Sequence, residues 1–377
     1  MIYLDNAATT EKKPKSVYRT LLDCAKNCSA NAGRGGHRAS LLAAEKIYLA
    51  REEICDFFGY SAPENTVFTL NATYALNIAI KGLIKSKCHV IISDVEHNSV
   101  VRPLEKLRQT LGIEISKFNS KATRLEEEIA RLIKPTTKFL ISTLASNVDG
   151  REISPEILSR IAKKHGLKLI IDASQYAGHK SFDFKKTPCS AFCAPAHKAL
   201  FGICGLGFAV FSPEESVETF AEGGSGNHSK SIYMPPLLPE RLEGGTLPTP
   251  AIAALTEGIR FIKHKGIEAI AEKENRLSER ALEMILSIPS VIVYGKGFGI
   301  LSFNLKALSS EKTAALLDDA GICVRGGFHC APSAHETLGT GDSGTVRIST
   351  SYFTEEKEIY KLYRALKKIN TSITKIK

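Results

Sequence analysis

The chain of 377 residues contains no apolar run long enough to cross a membrane, since a membrane-spanning helix needs about 18 or more apolar residues in succession. Its first 15 residues are polar and strand-like, without the apolar core of a secretion signal. We therefore expect a cytoplasmic protein that does not bind membranes. Hydrophobic residues make up 43% of the chain and charged residues 24%, which is typical of a folded globular protein and argues against a disordered one.

The cysteines include no C-x-x-C pair, so zinc-knuckle and thioredoxin-type sites have no support and no metal site is predicted. Nine is an odd number of cysteines, and without a secretion signal a disulfide framework is not expected. Most of these cysteines are expected to be buried as small apolar side chains. Nucleotide-binding motifs are missing too, because the G-x-G-x-x-G match at 339–344 precedes a strand and is expected to be a loop.

The formal net charge of +10 comes from 50 Lys and Arg residues against 40 Asp and Glu residues. Such a balance allows weak attraction to acidic partners. The basic residues are scattered along the sequence, and no nucleic-acid-binding motif accompanies them. Direct binding of nucleic acid is therefore not expected.

Short apolar runs alternate with helical patterns in the first part of the chain. Apolar residues recur at helical spacing at 73–85 and 125–133. The runs that predict strands lie at 67–70, 90–92, 114–118, 139–144, 168–171, 191–194 and 208–211. Strands that alternate with helices indicate an α/β fold with a mainly parallel sheet covered on both faces.

A segment at 243–250, rich in Gly and Pro, interrupts this alternation. The patterns beyond it predict two long helices at 252–263 and 267–286, and short strands at 291–293, 299–303, 322–324 and 346–348. Because the chain exceeds the usual size of one hydrophobic core, more than one domain is expected. We predict an N-terminal segment at 1–15 that packs near the small domain, a large domain at 16–250 and a small α+β domain at 251–377.

Three residues at strand ends suit a single ligand. Thr73 opens a helix directly after a strand, and a helix N-terminus attracts phosphate. Asp172 ends a very apolar strand, where a carboxylate needs a partner, and Lys198 ends the next strand along the chain. Taken singly, they could be an N-cap, a structural ion pair and a surface lysine. Taken together, they suit pyridoxal phosphate, which needs a lysine, an acid for its ring nitrogen and a phosphate site.

Two further residues are candidates for chemistry. His97 follows an apolar strand, and its flat imidazole could stack on a pyridine ring or simply cap a helix. Cys330 lies in a loop with Gly and Pro, close in sequence to Arg325 and His329. Positive charge in such a loop favours a reactive thiolate. The alternative is a buried structural cysteine.

Several of these residues belong to motifs that occur in family order. The motifs are YLDNAATT at 3–10, VEH at 95–97, SN at 146–147, DASQ at 172–175, HK at 197–198 and HCAP at 329–332. On these motifs the chain resembles the class V aminotransferase superfamily, specifically the cysteine desulfurase/selenocysteine lyase family. The resemblance runs from residue 3 to about residue 353. It implies fold type I of pyridoxal-phosphate enzymes, with a seven-stranded, mainly parallel sheet in the large domain, and a homodimer.

The resemblance also implies a role for each matching residue. Lys198 would hold the cofactor and move the Cα proton, Asp172 would pair with the ring nitrogen, and His97 would stack on the ring. Gln175 would bond the ring hydroxyl. The phosphate would be held by Ala72, Thr73 and His197, and by Thr246 of the other subunit. The implied substrate contacts are Asn147, Arg347, Arg325 and, near the substrate, His37.

The implied reaction converts L-cysteine to L-alanine, with the sulfur carried as a persulfide on Cys330. Its short loop resembles the group II enzymes of the family. The persulfide would pass to a sulfur-acceptor protein, and iron–sulfur cluster assembly is one expected use. Three alternatives stay open: a selenocysteine lyase, another class V transaminase or lyase in which Cys330 is not catalytic, and a basic binding protein that has lost catalysis.

Three positions depart from the family pattern. Tyr74 stands where a glutamate is usual. Pro195 and Ala196 replace a Ser/Thr-Gly pair, which removes a hydroxyl contact to the phosphate. The loop around Ile203 lacks a proline that is common there. We therefore expect weaker or differently shared cofactor binding, although Lys198 and Asp172 are retained.

Overall fold

The computed structural model describes residues 1–33, 35–226 and 229–374. The helices are α1 Lys15–Asn27, α2 Arg38–Phe58, α3 Ala72–Leu83, α4 Asn98–Leu111, α5 Leu125–Leu132, α6 Pro155–His165, α7 Thr249–Lys265, α8 Ile267–Leu286, α9 Ser310–Asp319, α10 Pro332–Leu338 and α11 Glu356–Thr374. The strands are β1 Ile2–Tyr3, β2 Thr66–Thr69, β3 His89–Ser93, β4 Glu114–Phe118, β5 Thr137–Thr143, β6 Lys168–Asp172, β7 Ala191–Pro195, β8 Gly207–Phe211, β9 Val291–Gly297, β10 Ile300–Leu305, β11 Ile322–Cys323 and β12 Val346–Ser349.

A seven-stranded sheet forms the larger part of the fold, in the order β2-β8-β7-β6-β5-β3-β4. The pairs from β7 through β4 are parallel, and β8 runs antiparallel to both of its neighbours. Its strands are the seven predicted ones, with ends that differ by no more than two residues. The prediction of an α/β fold with a mainly parallel sheet is therefore confirmed.

Helices cover both faces of this sheet. Ile91 of β3 joins the core under α2, α6 and α7, whereas Val90 and Ile92 join the core under α3 and α4. Successive side chains of a strand point to opposite faces. A strand buried on both faces must therefore be apolar throughout, which explains the continuous apolar runs in the sequence.

The C-terminal part of the chain builds a second sheet. Strands β9, β10 and β12 are antiparallel in the order β12-β10-β9, and their core includes residues of α8 and α11. Strand β1 pairs in parallel with β11, with Ile2 opposite Ile322, so the N-terminal segment packs in this part of the fold. Helix α7 instead contributes Ile252 and Ile259 to the core of the seven-stranded sheet. The domain boundary at residue 250 stays a prediction.

The parallel strands direct their carboxyl ends to one edge of the seven-stranded sheet. In sheets of this kind, ligands bind where the loops after the strands meet. The loops after β2, β3, β5, β6 and β7 carry the predicted site residues of this part of the chain.

The cysteines follow the predicted pattern for the most part. All nine are free thiols, and six of them are buried. Cys323 is half-buried, whereas Cys204 and Cys330 are exposed.

Within the residues that the structure describes, no helix combines the length and the apolar character needed to cross a bilayer.

Candidate active site

A cavity of about 270 Å³ lies at the carboxyl edge of the seven-stranded sheet. It is formed by the loops that follow the parallel strands and by the first turn of α3. Its lining residues are Asn71, Ala72, Thr73, Val95, His97, Ser99, Thr143, Ala145, Asn147, Asp172, Ser174, Gln175, Pro195, His197 and Lys198. The structure thus brings together the predicted residues from all five loops.

One end of the cavity is the N-terminus of α3. Asn71 caps this helix, since its side-chain oxygen accepts a hydrogen bond of 3.1 Å from the Tyr74 amide. The amides of Ala72 and Thr73 precede the first hydrogen bonds within the helix and have no partner in it. Glycine is needed at position 207, because a Cβ there would lie 2.5 Å from the carbonyl carbon of Asn71. The close approach of β8 holds an anion-binding helix end at the cavity.

His197 lies at the same cavity and has an unsatisfied nitrogen. Its Nδ1 atom is buried and has no hydrogen-bond partner in the described part of the chain. Burial, and then the nearby charges of Lys198 and Lys13, lower the pKa of His197 to about 4. A buried polar atom without a partner is costly, so this imidazole fits a site in which a ligand completes its hydrogen bonding.

Lys198 is a half-buried lysine in the cavity. Burial lowers its pKa to about 8, and the charges of Arg347 and Arg325 act in the same direction. The negative charge of Asp172 acts against this shift. A lysine with a lowered pKa supplies the uncharged amine that attacks a carbonyl carbon.

Asp172 is the carboxylate that faces this lysine from the end of β6. It is only 3% exposed, and its Oδ1 atom accepts a hydrogen bond of 2.9 Å from the Ser174 amide. Behind it lies Glu96, a fully buried carboxyl that was not among the predicted site residues. Glu96 accepts hydrogen bonds from the Thr143 amide and the Ser93 hydroxyl. Burial raises the pKa of Glu96 to about 8, which leaves it neutral near pH 7.

His97 both caps a helix and lines the cavity. Its Nδ1 atom accepts a hydrogen bond of 3.0 Å from the Ser99 amide at the start of α4. The Ser99 hydroxyl lies 2.9 Å from the same nitrogen and 2.8 Å from the Thr73 hydroxyl. Burial lowers the pKa of His97 to about 4. The ring is therefore neutral, and its orientation is fixed by the helix that it caps.

The N-terminal segment is hydrogen-bonded to two residues of the cavity, Gln175 and His197. Gln175 donates from Nε2 to the carbonyl oxygen of Ala7 at 2.9 Å. The carbonyl oxygen of His197 accepts from the Thr10 amide at 3.1 Å and from the Lys13 ammonium at 2.7 Å. The motif YLDNAATT was recognised in the sequence, but these contacts to the cavity were not predicted.

The Cys330 loop docks on the rim of the cavity. The carbonyl oxygen of Cys330 accepts from the Asn98 amide at 2.8 Å, and the Asn147 side chain donates to the carbonyl oxygen of His329 at 2.7 Å. The Cys330 thiol itself is exposed, with its Sγ atom 3.8 Å from Nη2 of Arg325. His329 and Cys330 have φ angles of 50° and 57°. Two consecutive non-glycine residues in the left-handed region are uncommon and are typical of functional loops.

The expectation that His329 adds positive charge beside the thiol is wrong. The ring is buried, and its Nε2 atom lies 3.0 Å from the carbonyl oxygen of Thr345. Burial, together with the charge of Arg347, lowers the pKa of His329 to about 2. This imidazole is neutral and anchors the loop, so the positive charge beside the thiol comes from Arg325.

Arg347 lies beneath the rim and outside the cavity lining. It is 1% exposed and forms an ion pair of 2.7 Å with Asp5. It also donates to the carbonyl oxygen of Asn147 at 2.8 Å, while its buried Nε atom has no partner among the described residues. Its role in holding a substrate carboxylate stays a prediction.

Thr246 and His37 lie away from the cavity of their own chain. Thr246 is exposed, and its hydroxyl accepts a hydrogen bond of 3.3 Å from the Asn31 side chain. His37 is exposed as well, and it caps α2 by accepting from the Ser40 amide at 3.3 Å. The cross-subunit role of Thr246 and the substrate role of His37 remain predictions.

Two of the three unusual positions border the candidate site. Pro195 lines the cavity, where it offers neither a hydroxyl nor an N–H group. Tyr74 turns outward with 42% of its surface exposed, and its ring packs edge-on against Phe220 with the centroids 6.0 Å apart. Neither side chain offers the cavity a hydrogen-bonding group, and weaker cofactor binding stays a prediction.

Comparison with known proteins places this geometry in a family. The sequence profile of the class V aminotransferase family matches residues 2–362. A protein of Methanothermobacter thermautotrophicus named as a probable cysteine desulfurase is 31% identical over 98% of this chain and 94% of its own. A cysteine desulfurase of Klebsiella pneumoniae is 29% identical over 88% of this chain and 84% of its own. The apo structure of a cysteine desulfurase from Thermococcus onnurineus superposes with a TM-score of 0.89 and 29% identity, covering 98% of this chain and 95% of its own.

Proposed function

Since the chain belongs to the class V aminotransferase family and has fold type I, we propose that it is a pyridoxal-phosphate-dependent cysteine desulfurase. It would convert L-cysteine to L-alanine and keep the sulfur as a persulfide on Cys330. The observation that carries this proposal is the place of the Cys330 thiol at the rim of the cavity that contains Lys198 and Asp172. The thiol is exposed, and hydrogen bonds from Asn98 and Asn147 hold the backbone of its loop there. A transaminase of the same fold would need the lysine and the acid but not the thiol.

The residues of the cavity fit pyridoxal phosphate. The unsatisfied Nδ1 atom of His197 and the first amides of α3 would hold the phosphate, with the Thr73 hydroxyl beside them. Lys198 would hold the cofactor covalently. Asp172 would face the ring nitrogen, and the second N–H of the Gln175 amide would reach the ring hydroxyl, since its first is donated to Ala7.

When bound, pyridoxal phosphate draws electrons away from the substrate Cα. The charge of Asp172 would keep the ring nitrogen protonated, which sustains that effect. The Lys198 amine, with its pKa lowered to about 8, would take the Cα proton near neutral pH. The neutral ring of His97 would lie against the cofactor ring without adding a competing charge.

Cys330 would carry out the sulfur transfer. Its thiolate attacks the substrate sulfur, so that an S–S bond forms while the bond between that sulfur and the substrate Cβ breaks. The electron pair of the broken bond remains on carbon, which takes up protons to yield alanine. Arg325 would favour the thiolate through its guanidinium charge. The exposed thiol would then pass its sulfur to an acceptor protein.

A homodimer is part of the proposal, because α1, α2 and the segment that precedes Thr246 carry many exposed apolar side chains. They are Tyr18, Leu22, Leu41, Leu42, Tyr48, Leu49, Ile232, Tyr233 and Leu237. Large exposed apolar surface is typical of interfaces. In such a dimer Thr246 of one chain would serve the phosphate of the other.

The test is to give L-cysteine to the purified holoenzyme and to count alanine and bound sulfur. Alanine should equal the transferred sulfur, and peptide mass spectrometry under non-reducing conditions should locate one extra sulfur on Cys330. Cys330→Ser should bind the cofactor but release alanine at least about 100-fold more slowly, a loss of roughly 3 kcal/mol. Cys204→Ser is the matched control because Cys204 is also exposed, and it should retain the wild-type rate.

Other outcomes would point to other reactions. Wild-type turnover of cysteine by Cys330→Ser, with acceptor and reductant present, would reject the desulfurase. Release of pyruvate would identify a lyase. Turnover of selenocysteine with none of cysteine would identify a selenocysteine lyase, and a colourless protein that binds no pyridoxal phosphate would have lost catalysis.

A further inference from the structure

A buried ion pair lies next to the segment that carries Thr246. The Glu243 carboxylate is 2.5 Å from Nη2 of Arg51 in α2, and both side chains are at least nine-tenths buried. Its other oxygen accepts from the Phe68 amide of β2 at 2.7 Å. Arg51 also donates from Nε to the carbonyl oxygen of Thr66 at 3.0 Å. One carboxylate therefore connects a helix, a strand and the chain leading to Thr246.

Only two glycines separate this anchor from Thr246. The amide of Gly245 donates to the carbonyl oxygen of Gly224 at 2.9 Å, and its φ of +100° is a conformation that favours glycine. Beyond it the Thr246 hydroxyl accepts from Asn31. A hydroxyl that accepts in this way still has its own hydrogen to donate. The exposed Thr246 hydroxyl can thus donate a hydrogen bond from a short segment that the buried ion pair holds in place.

We propose that Arg51 and Glu243 are positioning residues that act on the cofactor site of the partner subunit, by fixing the segment that presents Thr246. This inference rests on the proposed function, in which Thr246 serves the phosphate of the other chain. It adds that the ion pair of one chain acts more strongly on the other chain's site, through Thr246, than on the site of its own chain, which it reaches only through the backbone of β2.

A purely stabilising role explains the pair less well. Burying two charges costs much of what their attraction returns, and apolar residues of similar volume often stabilise a fold equally well. What an ion pair with two further hydrogen bonds supplies is a single geometry. Fixed geometry matters for a lone hydroxyl that must meet a phosphate across an interface, and it matters less for packing.

The test uses dimers in which a single site can hold lysine-linked cofactor. Two differently tagged chains are co-expressed, and mixed dimers are purified through both tags. In the first arrangement, one chain carries both Lys198→Ala and Glu243→Gln and its partner is wild-type. In the second arrangement, one chain carries Glu243→Gln and the other Lys198→Ala. Loss of the lysine-linked cofactor absorbance after dilution then reports the release of pyridoxal phosphate.

The inference predicts a larger acceleration of cofactor release in the first arrangement than in the second. In the first, the working site receives Thr246 from the altered chain. Release of pyridoxal phosphate should therefore accelerate about tenfold, which corresponds to the weakening of one hydrogen bond to a charged group. In the second, the working site receives Thr246 from an intact segment, and release should accelerate less, because Glu243→Gln reaches that site only through the Phe68 amide of β2. Equal acceleration in both, or acceleration in the second only, would overturn the inference.

Thr246→Ala in the same two arrangements separates this inference from its premise. If Thr246→Ala accelerates release in the first arrangement and Glu243→Gln does not, the shared site stands and the role of the ion pair is rejected. If Thr246→Ala has no effect across the interface, the shared site fails and the inference fails with it.

A second variant guards against misfolding. Arg51→Lys retains a positive charge but loses the planar guanidinium, which cannot be replaced at a site with several fixed acceptors. It should give the same asymmetry as Glu243→Gln. Glu274→Gln is the matched control, since Glu274 is a buried carboxylate of α8 whose neighbour at 2.7 Å, the Nδ1 atom of His179, lies elsewhere. Its effect on release should be the same in both arrangements.

Discussion

The two ends of the candidate site are built in different ways. At the cofactor end, Asp172 is the last residue of β6 and Lys198 lies in the loop after β7, and the regular pairing of these parallel strands brings both side chains to one cavity. At the thiol end, Cys330 lies in an irregular loop, whose place is set by single hydrogen bonds from Asn98, from Asn147 and to Thr345. Asp172 is buried and Lys198 is half-buried, whereas the Cys330 thiol is exposed.

This difference matches what the proposed reaction requires of each end. Charge stabilisation needs groups that do not move when the reaction begins, and strand ends supply them. A thiol that receives sulfur at one place and delivers it at another needs exposure and a loop that can adjust. Substitutions at the cofactor end should therefore abolish the whole reaction, whereas those at the thiol end should affect sulfur transfer alone.

The largest effect is expected at Lys198. Lys198→Ala removes both the covalent attachment and the proton carrier, so cysteine turnover should fall at least about 10⁴-fold. Borohydride treatment followed by peptide mapping should find no linked cofactor. The matched control is Lys13→Ala, because burial lowers the pKa of Lys13 to about 8 as well. Its link should persist, and a reducible link in Lys198→Ala would contradict the assignment.

The cofactor end was predictable from the sequence, for a physical reason. A parallel strand buried on both faces reads as an apolar run, and the polar residue that follows it lies at the sheet edge. Asp172 and Lys198 were found in this way. Glu96 was not found, because the sequence around it does not distinguish a buried carboxyl group from one in a solvent-exposed loop.

The thiol end was harder to predict. His329 is next to Cys330 in sequence, which led to the expectation of a second positive charge. The left-handed backbone at both residues turns the ring inward to Thr345 instead.

Helix α2 was missed for another reason. Leu41 and Tyr48 are exposed while Ile47 and Ile54 are buried, so no single apolar stripe marks the helix.

The next effect tests the charge at the cofactor end. Asp172→Asn keeps the shape and removes the charge, and turnover should fall roughly 10³-fold while the cofactor stays bound. Asp94→Asn is a suitable control, because Asp94 follows β3 but its carboxylate bonds Ser120 and Thr337 outside the cavity. Near-normal turnover by Asp172→Asn with cofactor present would remove Asp172 from the mechanism.

The lowered pKa of Lys198 should also make the free energy of unfolding depend on pH. Unfolded, the Lys198 amine has its ordinary pKa of 10.5, whereas burial lowers it to about 8 in the folded chain. Below pH 8 the folded state must hold a charge that it disfavours. As pH rises from 8 to 10.5 the unfolded state binds more protons, so stability rises through this window. The cost at pH 7 is about 2 kcal/mol, less than a fully dry site would impose.

Lys198→Met should remove that cost. Chemical unfolding of the cofactor-free protein should show the variant more stable by about 2 kcal/mol at pH 7, with the advantage fading between pH 8 and 10.5. Lys180→Met provides the comparison, since the Lys180 side chain is 52% exposed and should give no such trend. A constant difference between wild type and Lys198→Met across this range would contradict the lowered pKa of Lys198.

The smallest effect is expected at the thiol end and should leave the cofactor end untouched. The Thr345 hydroxyl lies 3.1 Å from Nε2 of His329, and Thr345→Val removes this contact while preserving the branched shape. Loss of about 1 kcal/mol should slow persulfide formation about fivefold without changing the release of pyridoxal phosphate. Thr137→Val is the control, because it removes a like contact to buried His89, 2.7 Å away on the seven-stranded sheet. If Thr345→Val also loosened the cofactor, the two ends could not be independent.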